Sequence, residues 1–394
     1  MTTEIKDSGT VEAADGHGLG RAYFERAAGF VLEVIERNLP VFRDTYPAPA
    51  SEGNVYPGIG NIEWTSSFWT GMLWLAYDLT GEAKYREAAE YQLASYKQRI
   101  EEQIETETHD LGFLYSLSAV AEYRLTGNET AKGTALQAAD LLAARYFPKA
   151  GIIQAWGDLS DPEQCGRMII DCLMNLPLLY WASEVTGETR YAEYAKTHVA
   201  QAAKYLVRPD DTSYHTYYMD VETGAPKYGN THQGYADDSC WARGQAWGMY
   251  GFLLSYLYTG DKSLVGLSKR LTDYFLTRLP EDGVVYWDLV FTEGTEQEKD
   301  SSASAIAVCG MLELTKHLPL GDPDKRRYED LALELLAALG RRYTTADLPG
   351  SNGVLKHAVY NKPRGMGIDE CNLWGDYYYF EALVRVLKNW KPYW

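Results

Sequence analysis

Apolar and polar positions divide most of the chain into helical stretches of two alternating kinds. Stretches that are apolar nearly all round and carry small residues are typical of buried helices. They lie at about 67–79, 111–125, 167–184, 240–258 and 301–317. Stretches that alternate charged and apolar residues at helical spacing predict surface helices. These lie at about 82–104, 128–145, 188–206, 261–279 and 323–342. Each buried stretch is therefore followed by an outer one.

A short turn joins each apolar stretch to the amphipathic stretch after it. Glycine is the expected stop at such a turn, because it adopts a positive φ without strain. The turns are Leu79-Thr80-Gly81, Leu125-Thr126-Gly127, Val185-Thr186-Gly187, Tyr258-Thr259-Gly260 and Leu320-Gly321. Their uneven spacing argues against a solenoid of fixed period and suits helix pairs with variable insertions.

Two unpaired stretches complete the pattern. The apolar run at 376–387 has no amphipathic run after it, and the amphipathic run at 21–38 has no apolar run before it. Pairing them gives twelve helices, six inside and six outside, in a closed ring. The sequence thus predicts an all-α fold of six helical hairpins in a single domain over 21–394. A flexible tail is expected at 1–20.

The long connections all fall at one end of this ring, opposite the short turns. The inner helices begin there, so their free N–H groups and positive dipole ends face this mouth and favour an anionic ligand. A short strand is predicted at 283–292 within one of them. The connections lie at about 39–66, 105–110, 146–166, 207–239, 280–300 and 343–374.

Composition limits the partners and the compartment. The formal net charge of −18 and the pI of about 4.9 argue against nucleic acid and anionic membranes as partners. A small acidic substrate would need a local cationic cluster to bind. No apolar run is long enough to span a membrane. The five scattered cysteines and the polar N-terminal segment predict free thiols in the cytoplasm.

Motif searches give no metal or nucleotide site. The chain has no H-E-x-x-H, no paired cysteine set, no P-loop and no G-x-G-x-x-G that opens a helix. His232 stands alone in Thr-His-Gln-Gly, and a lone histidine is rarely a ligand. We therefore expect neither a metal nor a cofactor.

Two carboxylates are expected at the mouth. Asp110 lies where the second inner helix begins, so a role as helix N-cap is the alternative. Asp171 lies inside an apolar stretch, where an ionised carboxylate is costly unless it is paired or functional. Its alternative is a structural ion pair with Arg167. Neighbouring carboxylates force their pKa values apart, and glycosidases use such pairs, so a hydrolase is the natural class.

The insertion at 207–247 is the densest in polar and aromatic residues. Arg243 and Trp247 are four residues apart, so they share a helix face. An arginine beside aromatic rings is suited to grip a carboxylate while the rings hold a sugar. The alternative for Arg243 is a salt bridge to Asp237 or Asp238.

These segments closely resemble the bacterial unsaturated glucuronyl hydrolases, and the match runs in order over about 60–380. The family has an (α/α)6 barrel, which agrees with the helix count above. The matching pieces include Glu63-Trp-Thr-Ser-Ser-Phe-Trp-Thr-Gly71, His109-Asp-Leu-Gly-Phe-Leu-Tyr-Ser116, Gly151-Ile-Ile-Gln-Ala-Trp-Gly157, Ile170-Asp-Cys-Leu-Met-Asn175, Ser213-Tyr-His215, Thr231-His-Gln-Gly234, Trp241-Ala-Arg-Gly-Gln-Ala-Trp247, Asp282-Gly-Val-Val-Tyr-Trp-Asp288, Asp300-Ser-Ser-Ala-Ser304 and Trp374-Gly-Asp-Tyr-Tyr379.

The resemblance implies a function and a set of roles. The family removes a terminal 4,5-unsaturated uronic acid from short lyase-generated oligosaccharides. Asp171 would be the acid/base and Asp110 its essential partner, with no metal or cofactor. The residues implied around the unsaturated sugar are Trp64, Trp156, His215, Gln233, Arg243, Trp247 and Tyr360.

One loop departs from the family pattern. Relatives that favour sulfated chondroitin fragments offer Ser, Ser and Lys to a sulfate, where this chain has Asn361, Arg364 and Met366. Asn361 and Arg364 are therefore possible contacts of the second sugar or its sulfate.

Three other functions are alternatives to the one that the resemblance implies. They are an unsaturated rhamnogalacturonyl hydrolase, a non-catalytic oligosaccharide-binding protein and an inverting hydrolase of saturated glycans.

Overall fold

The structure is a computed structural model, and it describes residues 20–394. The tail predicted at 1–20 lies outside the described residues except for Gly20. Twelve barrel helices follow in the predicted order, alternating between outer and inner positions. The outer helices are Arg21–Asn38 (α1), Ala83–Glu101 (α3), Glu129–Ala143 (α6), Thr189–Tyr205 (α8), Lys262–Thr277 (α10) and Pro323–Arg342 (α12).

The inner layer is buried along most of its length. Its second helix contains a π-helical segment, Ser116–Val120, between two α-helical parts. The first outer helix, α1, packs against the last inner helix and closes the ring. The predicted (α/α)6 barrel is confirmed. The inner helices are Ser66–Thr80 (α2), Leu111–Tyr115 with Ala121–Thr126 (α4 and α5), Pro177–Thr186 (α7), Ala242–Thr259 (α9), Ser301–His317 (α11) and Leu373–Leu387 (α13).

Four of the predicted turns share one hydrogen-bond pattern. Each glycine ends an inner helix with a positive φ of 75°, 74°, 78° or 69° in chain order. The preceding threonine hydroxyl donates to the carbonyl four residues back and accepts the N–H beyond the glycine. At Thr80 these distances are 2.7 Å to Ala76 O and 3.1 Å from Glu82 N. Thr126, Thr186 and Thr259 repeat the pattern.

The fifth turn is built differently. Helix α11 ends at His317, and Leu318 already has extended backbone angles of φ −76° and ψ 144°. Pro319 follows and cannot continue the helix. The prediction that a glycine at 321 ends this helix is therefore wrong.

The third inner helix is shorter than the predicted 167–184. Arg167–Ile169 (β5) instead pairs antiparallel with Thr216–Met219 (β6). A 3-10 turn, Ile170–Met174, then leads to α7, with proline at its first position. Strand pairing with the distant insertion overrides the apolar pattern here, so Asp171 lies in the 3-10 turn.

Short strands otherwise stay within the long connections. The segment 283–292 forms no strand in the described structure, so that prediction is wrong; it makes only single bridges, through Tyr286 and Asp288. The two-stranded sheets pair Tyr46–Pro47 (β1) with Gly58–Ile59 (β2), Tyr146–Phe147 (β3) with Ile152–Ile153 (β4), and Ala358–Asn361 (β8) with Met366–Glu370 (β9). Pro226–Asn230 (β7) extends the sheet of β5 and β6.

Two general expectations also bear on the fold. All five cysteines are free, and four of them are buried. Within residues 20–394, no helix is both long and apolar enough to cross a membrane.

Candidate active site

The two predicted carboxylates lie side by side at the mouth. Asp110 immediately precedes α4, and Asp171 occupies the 3-10 turn before α7. The Nε2 atom of His109 lies 3.4 Å from Oδ1 of each aspartate. His109 is buried, while 17% of the Asp110 side chain and 18% of the Asp171 side chain remain exposed. Both carboxyl groups can therefore meet a ligand.

Neither structural alternative for these aspartates is found. Asp110 stands at the N-cap position, but its side chain caps no helix N–H. Its Oδ2 accepts a hydrogen bond from the Thr108 hydroxyl at 2.8 Å. Asp171 forms no ion pair with Arg167, whose Nε donates to the Tyr218 hydroxyl at 3.2 Å. Both carboxylates are therefore available for chemistry.

Asn175 ties the two aspartates together. Its Oδ1 accepts the N–H of Phe113 at 2.7 Å, and its Nδ2 reaches Asp110 Oδ1 at 3.5 Å and the carbonyl of Asp171 at 3.3 Å. Gly112 permits this close approach, because a Cβ there would lie 2.2 Å from the Cα of Asn175. Asn175 stands in a motif noted above, but nothing in its sequence position predicted this role.

Burial shifts the pKa values of Asp110, Asp171 and His109. Burial raises the pKa of Asp110 to about 6, although hydrogen bonds from Thr108 and Asn175 oppose the shift. The pKa of Asp171 is raised well above its usual value by burial and then by the charge of Asp110. Burial lowers the pKa of His109 to about 3, so its ring is neutral. Near neutral pH the pair thus holds one protonated acid and one carboxylate.

The same three side chains are spaced closely enough to hold a metal. One ligand atom from each of His109, Asp110 and Asp171 lies within 4.8 Å of the others. A cation would have to displace the proton from Asp171, whose raised pKa opposes this. The expectation that no metal takes part stays a prediction.

Arg243 is buried and paired, but not with the residues considered above. Its partner is Asp300, the N-cap of α11, with an Nη1–Oδ2 distance of 3.0 Å, so the predicted alternative of Asp237 or Asp238 is wrong. The guanidinium lies between the rings of Trp241 and Trp374, at 4.5 and 4.9 Å from their centroids. Its other acceptors are Val359 O (2.6 Å), Gln233 Oε1 (2.7 Å) and Tyr360 O (2.7 Å).

Aromatic rings line the same region. The indole N–H of Trp64 donates to the Tyr360 hydroxyl at 3.0 Å, and its ring stacks on Trp374 at 5.1 Å. Trp247 is fully buried, with its ring 5.4 Å from Phe113. Phe113 also contacts Trp64 at 5.6 Å, so it connects the two tryptophans. The structure therefore brings Trp64, Tyr360 and Arg243 together, and it buries Trp247 against Phe113.

His215 from the insertion and Trp156 from an earlier connection are the next two predicted site residues. His215 is buried, its Nδ1 lies 2.6 Å from the Thr216 hydroxyl, and its Nε2 has no partner in the described structure. Burial, then the charges around it, hold the pKa of His215 well below its usual value, so the ring is neutral. Trp156 is half-buried, and its ring meets His232 edge-on at 5.4 Å.

The β8–β9 hairpin carries the proposed contacts of the second sugar. The Asn361 side chain accepts the backbone N–H of Arg364 at 3.3 Å, so it caps the turn. The Arg364 side chain is exposed, and Met366 is 43% exposed. Lys362 is held by Glu298. Arg364 is thus the more exposed cation of this loop, since only 28% of the Lys362 side chain is exposed.

Glycoside hydrolases typically use two carboxyl groups, one protonated and one ionised. Comparison with known proteins places the chain in that class. It belongs to Glycosyl Hydrolase Family 88, whose family model matches residues 50–388. The family expected from the sequence motifs is therefore confirmed.

Curated relatives and solved structures agree with this assignment. The chain is 47% identical to an unsaturated chondroitin disaccharide hydrolase of Streptococcus pyogenes, over 94% of this chain and 92% of that protein. It is 45% identical to an unsaturated glucuronyl hydrolase of Bacillus sp. GL1, over 94% and 98%. The crystal structure of the Streptococcus agalactiae unsaturated glucuronyl hydrolase superposes with a TM-score of 0.93 at 44% identity, covering 100% of both chains.

Proposed function

We propose that this hydrolase releases the terminal 4,5-unsaturated glucuronic acid from short, acidic glycosaminoglycan-type oligosaccharides. The observation that carries the proposal is the buried pair in which Asp171 is protonated beside an ionised Asp110. The relatives named above are hydrolases of unsaturated glucuronyl or chondroitin disaccharide substrates.

The chemistry follows from the substrate's vinyl ether. Asp171 protonates C4 of the C4=C5 bond, which leaves an oxocarbenium ion shared between C5 and the ring oxygen. The resulting Asp171 carboxylate then takes a proton from water as the water adds to C5. The hemiketal opens and rearranges, and the next sugar leaves from C1. Each of these steps is a proton transfer, the addition of water or the cleavage of a C–O bond, so the proposal assigns them without a metal or a cofactor.

The pocket residues divide into two roles under this proposal. Trp64, Trp156, Tyr360 and Trp247 shape the space for the sugar plane. His215 and Gln233 offer polar groups to it, while Arg243 fixes Gln233 and the backbone of Tyr360. Since both terminal nitrogens of Arg243 already have protein partners, its grip on the uronate would be partly indirect.

For the second sugar, we propose contacts with Asn361 and Arg364 and a preference for unsulfated over 6-O-sulfated chondroitin disaccharides. One exposed arginine does not reproduce a cradle of two serines and a lysine, and Lys362 is occupied by Glu298. The expected difference lies mainly in KM. A higher kcat/KM for the 6-O-sulfated disaccharide, at fixed ionic strength, would contradict this.

The alternatives fare less well. An inverting hydrolase of saturated glycans needs carboxyl groups about 6.5–9.5 Å apart, to leave room for a water. Here one oxygen of Asp110 and one of Asp171 lie within 4.8 Å of each other, so the nearest oxygens of the pair leave little room for such a water. The curated relatives are glucuronyl and chondroitin disaccharide hydrolases, which favours the proposed substrate over a rhamnogalacturonyl one.

We place the enzyme in the cytoplasm, away from nucleic acid and membranes. Five free cysteines support a reducing compartment, and the net charge of −18 opposes anionic polymers and lipids. Fractionation of the source cells, with an antibody against the protein, tests this location.

The direct test is a panel of lyase-generated disaccharides. The purified protein is incubated with unsaturated chondroitin, hyaluronan, heparin and rhamnogalacturonan disaccharides, and loss of the conjugated-alkene absorbance is followed. Turnover of the glucuronyl substrates is expected. Turnover of the rhamnogalacturonan disaccharide alone would assign the alternative, and binding without turnover would make the protein a binding module.

A further inference from the structure

Four arginines are buried around the mouth, and one of them differs from the rest. Arg99 and Arg145 donate to backbone carbonyls of the mouth loops, so their role is to hold the loop backbone in place. Arg243 is neutralised by Asp300. Arg167 is 7% exposed and forms no ion pair with any residue of the described chain.

The surroundings of Arg167 leave part of its guanidinium unsatisfied. Its Nε donates to the Tyr218 hydroxyl at 3.2 Å, and its Cζ lies 4.4 Å from the centre of the Trp156 ring. Its Nη1 is buried and has no hydrogen-bond partner within residues 20–394. A buried cation without a counterion is costly, so such a group is retained when a ligand supplies the missing charge.

The backbone fixes Arg167 close to the catalytic turn. Strand β5 begins at Arg167, and Asp171 follows four residues later. Ile170, which directly precedes Asp171, donates its N–H to the carbonyl of His215 at 3.1 Å. Across the strand pair, His215 carries a second buried nitrogen without a partner. The charge of Arg167 also contributes to the lowered pKa of His215, so its field reaches the inner pocket.

We propose that Arg167 supplies the positive charge that selects an anionic terminal sugar, acting from its position stacked on Trp156. The inference rests on the function proposed above and assigns one residue to its charge selectivity. In an unsulfated disaccharide the sole anion is the uronate carboxylate. With Arg243 compensated by Asp300, the balancing cation in this pocket is Arg167, and its burial keeps salt from screening it.

The test compares an anionic substrate with its uncharged ester: unsulfated unsaturated chondroitin disaccharide and its uronate methyl ester, in which a methyl group removes the charge. Arg167→Met keeps most of the stem but removes the charge, and Arg167→Lys keeps the charge but not the flat guanidinium. We expect Arg167→Met to raise KM for the acid about tenfold, with kcat changed far less, because a charged hydrogen-bond partner is lost. For the ester, KM should change little, and Arg167→Lys should recover part of the preference for the acid.

A matched control is Arg190→Met on the outer helix α8. Arg190 also stacks on an aromatic ring, Tyr191, at 4.2 Å, but it is exposed and paired with Asp140. It should leave both substrates unaffected. Equal losses for acid and ester in Arg167→Met would reduce Arg167 to packing for Trp156 and overturn the proposal, as would an unchanged KM.

Two further measurements keep the result interpretable. If Arg167→Met fails to fold by circular dichroism, the acid-to-ester ratio of Arg167→Lys and Arg167→Gln decides instead. Calorimetric binding of both disaccharides to these variants, in an Asp171→Asn background, tests charge selectivity without turnover. If the unmodified protein binds the acid selectively but does not turn it over, the proposed function is wrong. The role of Arg167 in selecting the anion would still stand in that case.

Discussion

Asp171 keeps its proton near neutral pH because of where the chain places it. It lies in a 3-10 turn, mostly buried, beside a second carboxylate, and both factors raise its pKa. Replacing it with asparagine keeps the shape but removes the exchangeable proton. We expect Asp171→Asn to lower kcat about 10²–10⁴-fold, the usual contribution of general acid/base catalysis. Steady-state kinetics give the rate, and calorimetry should show near-normal substrate binding. More than about a tenth of the original rate would remove Asp171 from this role.

Under the proposed mechanism, Asp110 sets the pH range in which Asp171 acts as the acid. Activity needs Asp110 ionised and Asp171 protonated, so it should rise with pH through the Asp110 pKa of about 6 and fall again as Asp171 loses its proton. In Asp110→Asn the acid limb at pH 6 should vanish. The alkaline limb should move to lower pH, because the charge that raises the Asp171 pKa is gone.

The measurement is the pH profile of kcat/KM for both enzymes, with kcat of the variant expected about 10²-fold lower or more. A profile identical to that of the unmodified enzyme, at near-normal rate, would show that Asp110 has no part in the chemistry.

At this scale the sequence predicted the two candidate carboxylates but not the residues that position them. Asp171 stood out because an acid inside an apolar run needs a reason. Asn175, Asp300 and His109 did not, because their partners lie on other helices and polar residues near helix starts are common. The charge partner of Arg243 was predicted among its near neighbours in sequence, whereas α11 supplies it.

Among the helices and strands, local chemistry predicted most boundaries and long-range pairing changed the rest. The Thr-Gly turns were predictable because both residues act within one turn of chain. The division of 167–184 was not, since β5 exists only through its pairing with β6. The same limit applies to 283–292, where aromatic and β-branched residues suggested a strand that finds no partner strand in the described structure.

The turns provide a matched test of backbone strain. Gly81 has a φ of 75°, and an added Cβ would meet no atom within 4 Å, so Gly81→Ala carries only the cost of the left-handed conformation. We expect it to destabilise the fold by about 1–2 kcal/mol. Gly133 lies inside α6 with equally open space but no positive φ. There, alanine should stabilise by about 0.5–1 kcal/mol.

Urea denaturation of both variants measures these changes in the free energy of unfolding. If Gly81→Ala were as stable as Gly133→Ala, the left-handed stop would not be what ends these inner helices.

The molecule as a whole places an anion site in an acidic protein. The net charge of −18 repels a uronate at long range, while Arg167, the cation proposed to recognise it, is buried in the mouth. The two effects respond differently to salt, because exposed charges are screened within about 10 Å at 0.1 M and buried ones much less. Added salt therefore weakens the long-range repulsion between protein and substrate, and it leaves the attraction to the buried cation nearly unchanged.

We accordingly expect kcat/KM for an unsulfated unsaturated disaccharide to rise as salt increases from about 0.01 to 0.15 M, over which the screening length shortens from about 30 to 8 Å. Its uncharged methyl ester should show no such rise, which separates the field of the protein from any effect of salt on the fold. Initial rates at low substrate concentration give kcat/KM for both compounds in the same buffers. A fall with salt for the acid alone would mean that surface cations such as Arg364 steer the substrate, and that the net charge of the chain does not govern its capture.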